Sequence, residues 1–202
     1  MRHRLLVLVM GLAFLAPVVA EATVVVPLDL KKLAGNAEVI LHGRVIALSP
    51  QWASDRQGID TLVTVQVTSY LKGNFGAQIT FRVPGGKIGR LRSVRVGAPV
   101  FHEGEEVIVF LAATGPVFPH IVGFNQGVYR VTVDKASGTR FVTSPILAGE
   151  VTTPIPIVRG DPSRKPVPLE QFEAQVRSIL EQDRSNRAPQ DRRARDKDKR
   201  SR

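Results

Sequence analysis

The sequence predicts a mainly all-β protein, a small β-barrel or sandwich with a helix near each end. Three observations carry this. Asp60–Gly73 holds the longest period-two pattern in the chain, with Val63, Val65 and Val67 on one face and Leu62, Thr64, Gln66 and Thr68 on the other. β-Branched residues alternating with polar ones describe a strand with one buried face. About seven such short segments follow one another with Gly-, Pro- and Asn-containing turns between them, as in sandwiches and barrels. Among them Glu105–Leu111 is apolar on both faces, which marks a central strand.

The 202 residues, 43% of them hydrophobic, suit one domain with extensions. The absence of cysteine excludes disulfides, a thiol nucleophile, a Cys-ligated zinc and a lipid-modified cysteine, so the core must hold by packing alone. Residues 1–22 read as a signal peptide: basic Arg2 and Arg4, an apolar run from Leu5 to Val19, then the small-x-small site Ala20-Glu21-Ala22, with Val18-Val19-Ala20 as a second one. That run contains Pro17 and is shorter than the roughly 20 residues of a spanning helix. Export to the periplasm or beyond the cell is therefore expected, with Thr23 as the mature end and no membrane span after cleavage. The net charge of +10 is uneven. Asp183–Arg202 carries +5 and residues 1–22 carry +1, leaving +4 for Thr23–Gln182.

Taken in order, Leu28–Ala34 predicts a short helix stopped by Gly35 and Asn36. Ala37–Leu48 predicts a strand with Val39, Leu41, Val45 and Ala47 on one face, and Gly43 on that face predicts a bulge or sharp bend. Ser49–Gly58, with the single tryptophan Trp52, reads as a polar loop before the strand Thr61–Leu71. Gln78–Val83 is a third strand, ended by Pro84-Gly85-Gly86. Lys87–Gly97 is irregular and basic. After the central strand come Ile121–Phe124 and a hairpin pairing Val128–Val133 with Arg140–Thr143. Pro154–Pro168 is proline-rich and extended. A helix follows with the apolar stripe Leu169, Phe172, Val176, Ile179 and Leu180, set against Glu170, Gln171, Glu173, Arg177 and Glu181 on the solvent side. The segments are thus 1–22, a β domain over 23–160, a linker and docked helix over 161–182, and a basic tail over 183–202 that the composition predicts to be disordered.

Ala37-Glu38-Val39-Ile40 with Gly43-Arg44-Val45, Tyr70-Leu71-Lys72-Gly73, and Gly104-Glu105-Glu106 before Val107–Phe110 resemble, in order and spacing, netrin-type modules, the OB-fold barrels of tissue inhibitors of metalloproteinases. The layout also looks like that of uncharacterised exported bacterial proteins. The resemblance covers Ala37–Leu111. It implies an OB-like small barrel with extra C-terminal strands, a short N-terminal helix and a docked C-terminal one. It also implies a non-enzymatic binding module whose partner is a protein, an extracellular or periplasmic protease among them. The inhibitors chelate zinc through an amino-terminal cysteine; here that position is Thr23, so the resemblance bears on fold more than on inhibition.

No nucleophile elbow, Ser-x-x-Lys pair or cofactor motif is present, and Gly85–Gly89 follows a strand without opening a helix, so it makes no phosphate cradle. His42, His102 and His120 lack metal-ligand spacing, and Glu103, Glu105 and Glu106 sit at a turn. A hydrolase built from these histidines and glutamates is one alternative. The expected binding surface comprises Thr23, Lys87, Arg90, Arg92, Arg95, Phe101 and His102, with the four cations suited to an anionic ligand. Arg184–Arg202 offers a second surface, for an anionic envelope polymer.

Overall fold

A computed structural model describes residues 28–113, 118–143 and 166–200, with side chains as far as Asn186. The expected signal peptide, Thr23 and most of the proline-rich stretch lie outside the described residues. The chain is mainly β, with two helices.

Strands β1 (Val39–Trp52) and β2 (Ile59–Lys72) form a long antiparallel pair. The first strand outruns its expected end at Leu48 and takes in Trp52, because pairing with β2 continues through Trp52↔Ile59. The register slips between His42 and Gly43, where the bend was expected. A Cβ on Gly43 would lie 2.4 Å from the Gln66 carbonyl oxygen, so only glycine lets the two strands close at this kink. Next come β3 (Gln78–Pro84), β4 (Gly86–Ile88), β5 (Leu91–Ser93), β6 (Glu106–Ala112) and β7 (His120–Ile121). A 3-10 turn (Phe124–Gly127) leads to β8 (Val128–Val133), β9 (Arg140–Thr143) and β10 (Val167–Pro168). The three strands that the periodicity did not reveal, β4, β5 and β10, are two or three residues long, too short to show a period. Ile121–Phe124, expected as a strand, divides between β7 and the 3-10 turn.

Five strands close a ring in the order β1-β2-β3-β7-β6, because β6 returns to β1 in register from Val39↔Leu111 to Arg44↔Glu106. The short β7 joins β3 in parallel at Arg82↔His120 and β6 in antiparallel fashion at Leu111↔Ile121. The other edge of β6 carries β8, then β9 and β10.

The doubly apolar pattern of β6 has a direct meaning. Val107, Val109 and Leu111 enter the ring core with Val39, Leu41, Val45, Val63, Val65 and Phe81. Ile108 and Phe110 face the other way, into a second core beneath the helices. Helix α1 (Leu30–Asn36) runs through its expected stop signals and ends when the Ala37 amide donates to the Leu33 carbonyl; Lys72 Nζ also donates to the Ala34 carbonyl of its last turn at 2.9 Å. Helix α2 (Leu169–Arg200) lays Leu169, Phe172, Val176 and Leu180 into this second core, as its stripe predicted. Its backbone stays helical to Arg200, across Pro189, where disorder was expected from Asp183. Arg, Lys, Gln and Ala dominate that stretch, and acids precede bases by four positions at Asp191/Arg195 and Asp196/Arg200, both of which favour helix. Among the described residues no helix is long and apolar enough to cross a membrane.

Tyr129 stacks between Phe110 (5.5 Å between ring centroids) and Phe172 (4.7 Å), and burial pushes its phenol up to about 12. The neutral phenol is thus favoured in the folded state. This contribution is complete below the ordinary phenol pKa, near 10, and is lost as pH rises toward 12. It amounts to about 3 kcal/mol at about 1.4 kcal/mol per pKa unit. Urea unfolding followed from neutral to strongly alkaline pH should show the midpoint falling over this window, and Tyr129→Phe should flatten that fall.

Candidate binding cleft

A cleft of about 300 Å³ opens where the ring core meets the β4–β5 hairpin and the loop after it. Its floor is core surface: Leu48, Val63 and Val83 from β1, β2 and β3, with Phe101 beside them. Phe101 is only 6% exposed and stands edge-on to Phe81, their centroids 5.6 Å apart. The walls are Lys87, Arg92, Ser93, Val94 and Arg95.

The local sequence explains how the hairpin comes to stand there. Beyond Pro84, the Gly85 amide donates to the Ile59 carbonyl at 2.8 Å and the Thr61 hydroxyl donates to the Gly85 carbonyl at 2.7 Å. A Cβ on Gly86 would come within 2.6 Å of Thr61 Oγ1 and 2.9 Å of Ile59 Cγ2, so the chain can press against β2 there only as glycine. The far end is fastened by Arg130 of β8, whose guanidinium donates to the Glu105 carboxylate and to the Val100 carbonyl. The Gly104 amide closes the turn onto the Val45 carbonyl at 2.8 Å.

The electrostatics are one-sided. From Thr61 to His102 the sequence contains no aspartate or glutamate. Arg82 pairs with Asp60 from just outside that stretch, 3.5 Å away. Among the described residues, Lys87, Arg90, Arg92 and Arg95 have no carboxylate partner. Lys87 lies directly opposite Arg92 in the hairpin, a like-charge cross-strand pair that weakens the hairpin it belongs to.

Of the residues expected from sequence, Lys87, Arg92, Arg95 and Phe101 line the cleft. Phe101 belongs to its floor rather than to an exposed contact. Arg90 is exposed at the tip of the hairpin, outside the lining. His102 is also exposed and outside it, its amide donating to Glu105 Oε2 at 3.1 Å. Thr23 lies outside the described residues. Leu48, Val63 and Val83 were not expected at this site, since each reads as an ordinary core position until the pairing of β1, β2 and β3 sets them side by side.

The histidines do not converge. His42 pairs with Ile108 on one side of β6, while the exposed His120 pairs with Ala112, four positions further along. Among the described residues no three metal-ligating side chains are grouped to hold an ion. His42 instead is 3% exposed beneath α2, with Nε2 2.8 Å from Glu106 Oε1 and Nδ1 3.2 Å from Glu173 Oε1. Arg44 and Arg140 each reach Glu106 at 3.4 Å, and Arg177 reaches Glu173 at 3.3 Å. The helical pattern placed Glu173 on the solvent side; the sheet curls far enough under the helix for its carboxylate to meet a strand histidine. No family model, curated protein or solved structure matches this chain.

Proposed function

We propose that this chain is an exported, non-catalytic binding module of the netrin-like OB type, and that it engages an acidic partner surface through the cleft face. The observation that carries the reading is the meeting of Lys87, Arg92 and Arg95 on one apolar-floored cleft, without a carboxylate to neutralise them. Holding Lys87 opposite Arg92 costs the isolated hairpin stability; an anionic group between them converts that repulsion into attraction. The lining offers cations, hydroxyls and apolar surface, but neither a carboxylate nor an imidazole to exchange protons with a substrate, which supports binding over acid–base chemistry. The closed five-strand ring supports the OB-type reading, and the resemblance to the metalloproteinase inhibitors supports a protein such as a protease among the partners. The competing surface is the basic stretch Arg184–Arg202.

Soluble polyglutamate separates the two surfaces. The triple variant Lys87→Ala/Arg92→Ala/Arg95→Ala should bind it about tenfold or more weakly at low salt, with a shallower salt dependence, since each lost cation releases fewer counterions. All three residues are exposed, so folding should be unaffected. Unchanged affinity would assign polyanion binding to the tail and end the cleft reading.

A further inference from the structure

We propose that the segment Lys87–Val100 seats the protein on an anionic lipid surface. The proposal rests on the cleft-face reading and names the acidic partner. Four cations are interleaved there with four aliphatic side chains that stand out of the protein: Leu91 is 57% exposed, Val94 66%, Val96 98% and Val100 66%. Lys87, Arg90, Arg92 and Arg95 are exposed among them.

Single exposed apolar side chains are ordinary, but four on one segment, rimmed by cations, mark an interaction surface. Nothing in the rest of this sequence matches the charge of the patch. Residues 144–165 hold Arg159, Arg164 and Lys165 against Glu150 and Asp161, and the stretch from Asp183 onward is strongly basic. A cover that complements the charge of this patch must be acidic, and these segments are not. The patch also narrows the kind of cover. Its charges are of one sign over more than a dozen residues, the polybasic pattern that an anionic lipid surface attracts. Its most exposed aliphatic, Val96, is a protruding tip, which calls for a yielding apolar medium beneath a charged layer. Anionic head groups over acyl chains supply both: the aliphatics enter the acyl boundary while the longer arginine and lysine chains spread to the phosphates.

The test is co-sedimentation of the full chain with two kinds of vesicle, pure phosphatidylcholine and phosphatidylcholine with one-third phosphatidylglycerol. The protein should pellet with the anionic vesicles at low salt, far less at high salt, and not with the neutral ones. Leu91→Ser/Val96→Ser should lower vesicle partitioning by about tenfold yet leave polyglutamate binding intact. Arg90→Ala/Arg95→Ala should lower vesicle partitioning by about fivefold per cation and polyglutamate binding as well. Both pairs lie on exposed loop or hairpin positions, and an unchanged melting curve verifies that each variant is folded. Vesicle binding indifferent to Leu91→Ser/Val96→Ser would show that the tail alone holds the surface and overturn the proposal. Polyglutamate binding without any vesicle binding would also overturn it, in favour of an acidic protein segment, while leaving the cleft reading in place. Polyglutamate affinity left unchanged by Lys87→Ala/Arg92→Ala/Arg95→Ala is the separate result that removes the cleft reading itself.

Discussion

Phe172→Ala is expected to destabilise the protein by about 3–5 kcal/mol, the usual range for deleting a fully buried aromatic ring. Phe172 is 5% exposed, stacks on Tyr129, and lies among residues of α1, β1, β6, β8 and β9, so no single element can collapse into the space it leaves. The loss should also be local in character. The ring interior, built on Val63, Val65 and Phe81, shares no buried residue with the helix-side core. Native-state hydrogen exchange on the variant should show β8, β9 and α2 losing protection first and the β2–β3 amides last. Uniform loss of protection across both layers would mean that the two cores open as one unit, contrary to this expectation.

His42→Ala is expected to cost about 1–3 kcal/mol, the range for leaving buried polar partners unsatisfied. The ring nitrogens of His42 face one carboxylate from β6 and one from α2. The imidazole lies between the two carboxylates; alanine removes it and leaves Glu106 and Glu173 with the peripheral Arg44, Arg140 and Arg177 as their remaining partners. The excess cost should fall when one of the carboxylates is also removed. A double-mutant cycle with Glu173→Gln, read by urea unfolding, should therefore give a coupling above about 1 kcal/mol. Additive costs would show that the histidine only fills volume beneath the helix.

Much of the fold was legible where a residue's neighbours in sequence already state its surroundings. Val107–Leu111 could only be a strand covered on both sides, and it is the strand shared by two cores. The Leu169–Leu180 stripe could only be a helix with something to cover, and Gly43 marked the kink at which β1 bends. The basic residues of the cleft were legible too, because four cations without an acid among them stand out in any reading. Of its floor only Phe101 was, since Leu48, Val63 and Val83 look like ordinary core positions until β1, β2 and β3 pair. Glu173 was missed for a related reason. Helical periodicity divides apolar from polar positions, but a polar position at the margin of the stripe can face a polar group on the element beneath, and that partner, His42, lies 131 positions earlier in the chain. The basic end of α2 was read from low hydrophobicity, which speaks against packing but not against helix.

The last strand in the sheet order, β10, has a consequence for behaviour in concentrated solution. A free strand edge offers unsatisfied amides and carbonyls to a neighbouring molecule and can seed ordered aggregates. Among the described residues the eight-stranded order ends in two residues, one of which, Pro168, has no amide hydrogen to give, and the chain turns at once into α2. A sheet with its longest strands closed into a ring and its terminal strand cut this short gives another copy little to extend. The protein should therefore resist edge-to-edge polymerisation without a disulfide to guard it.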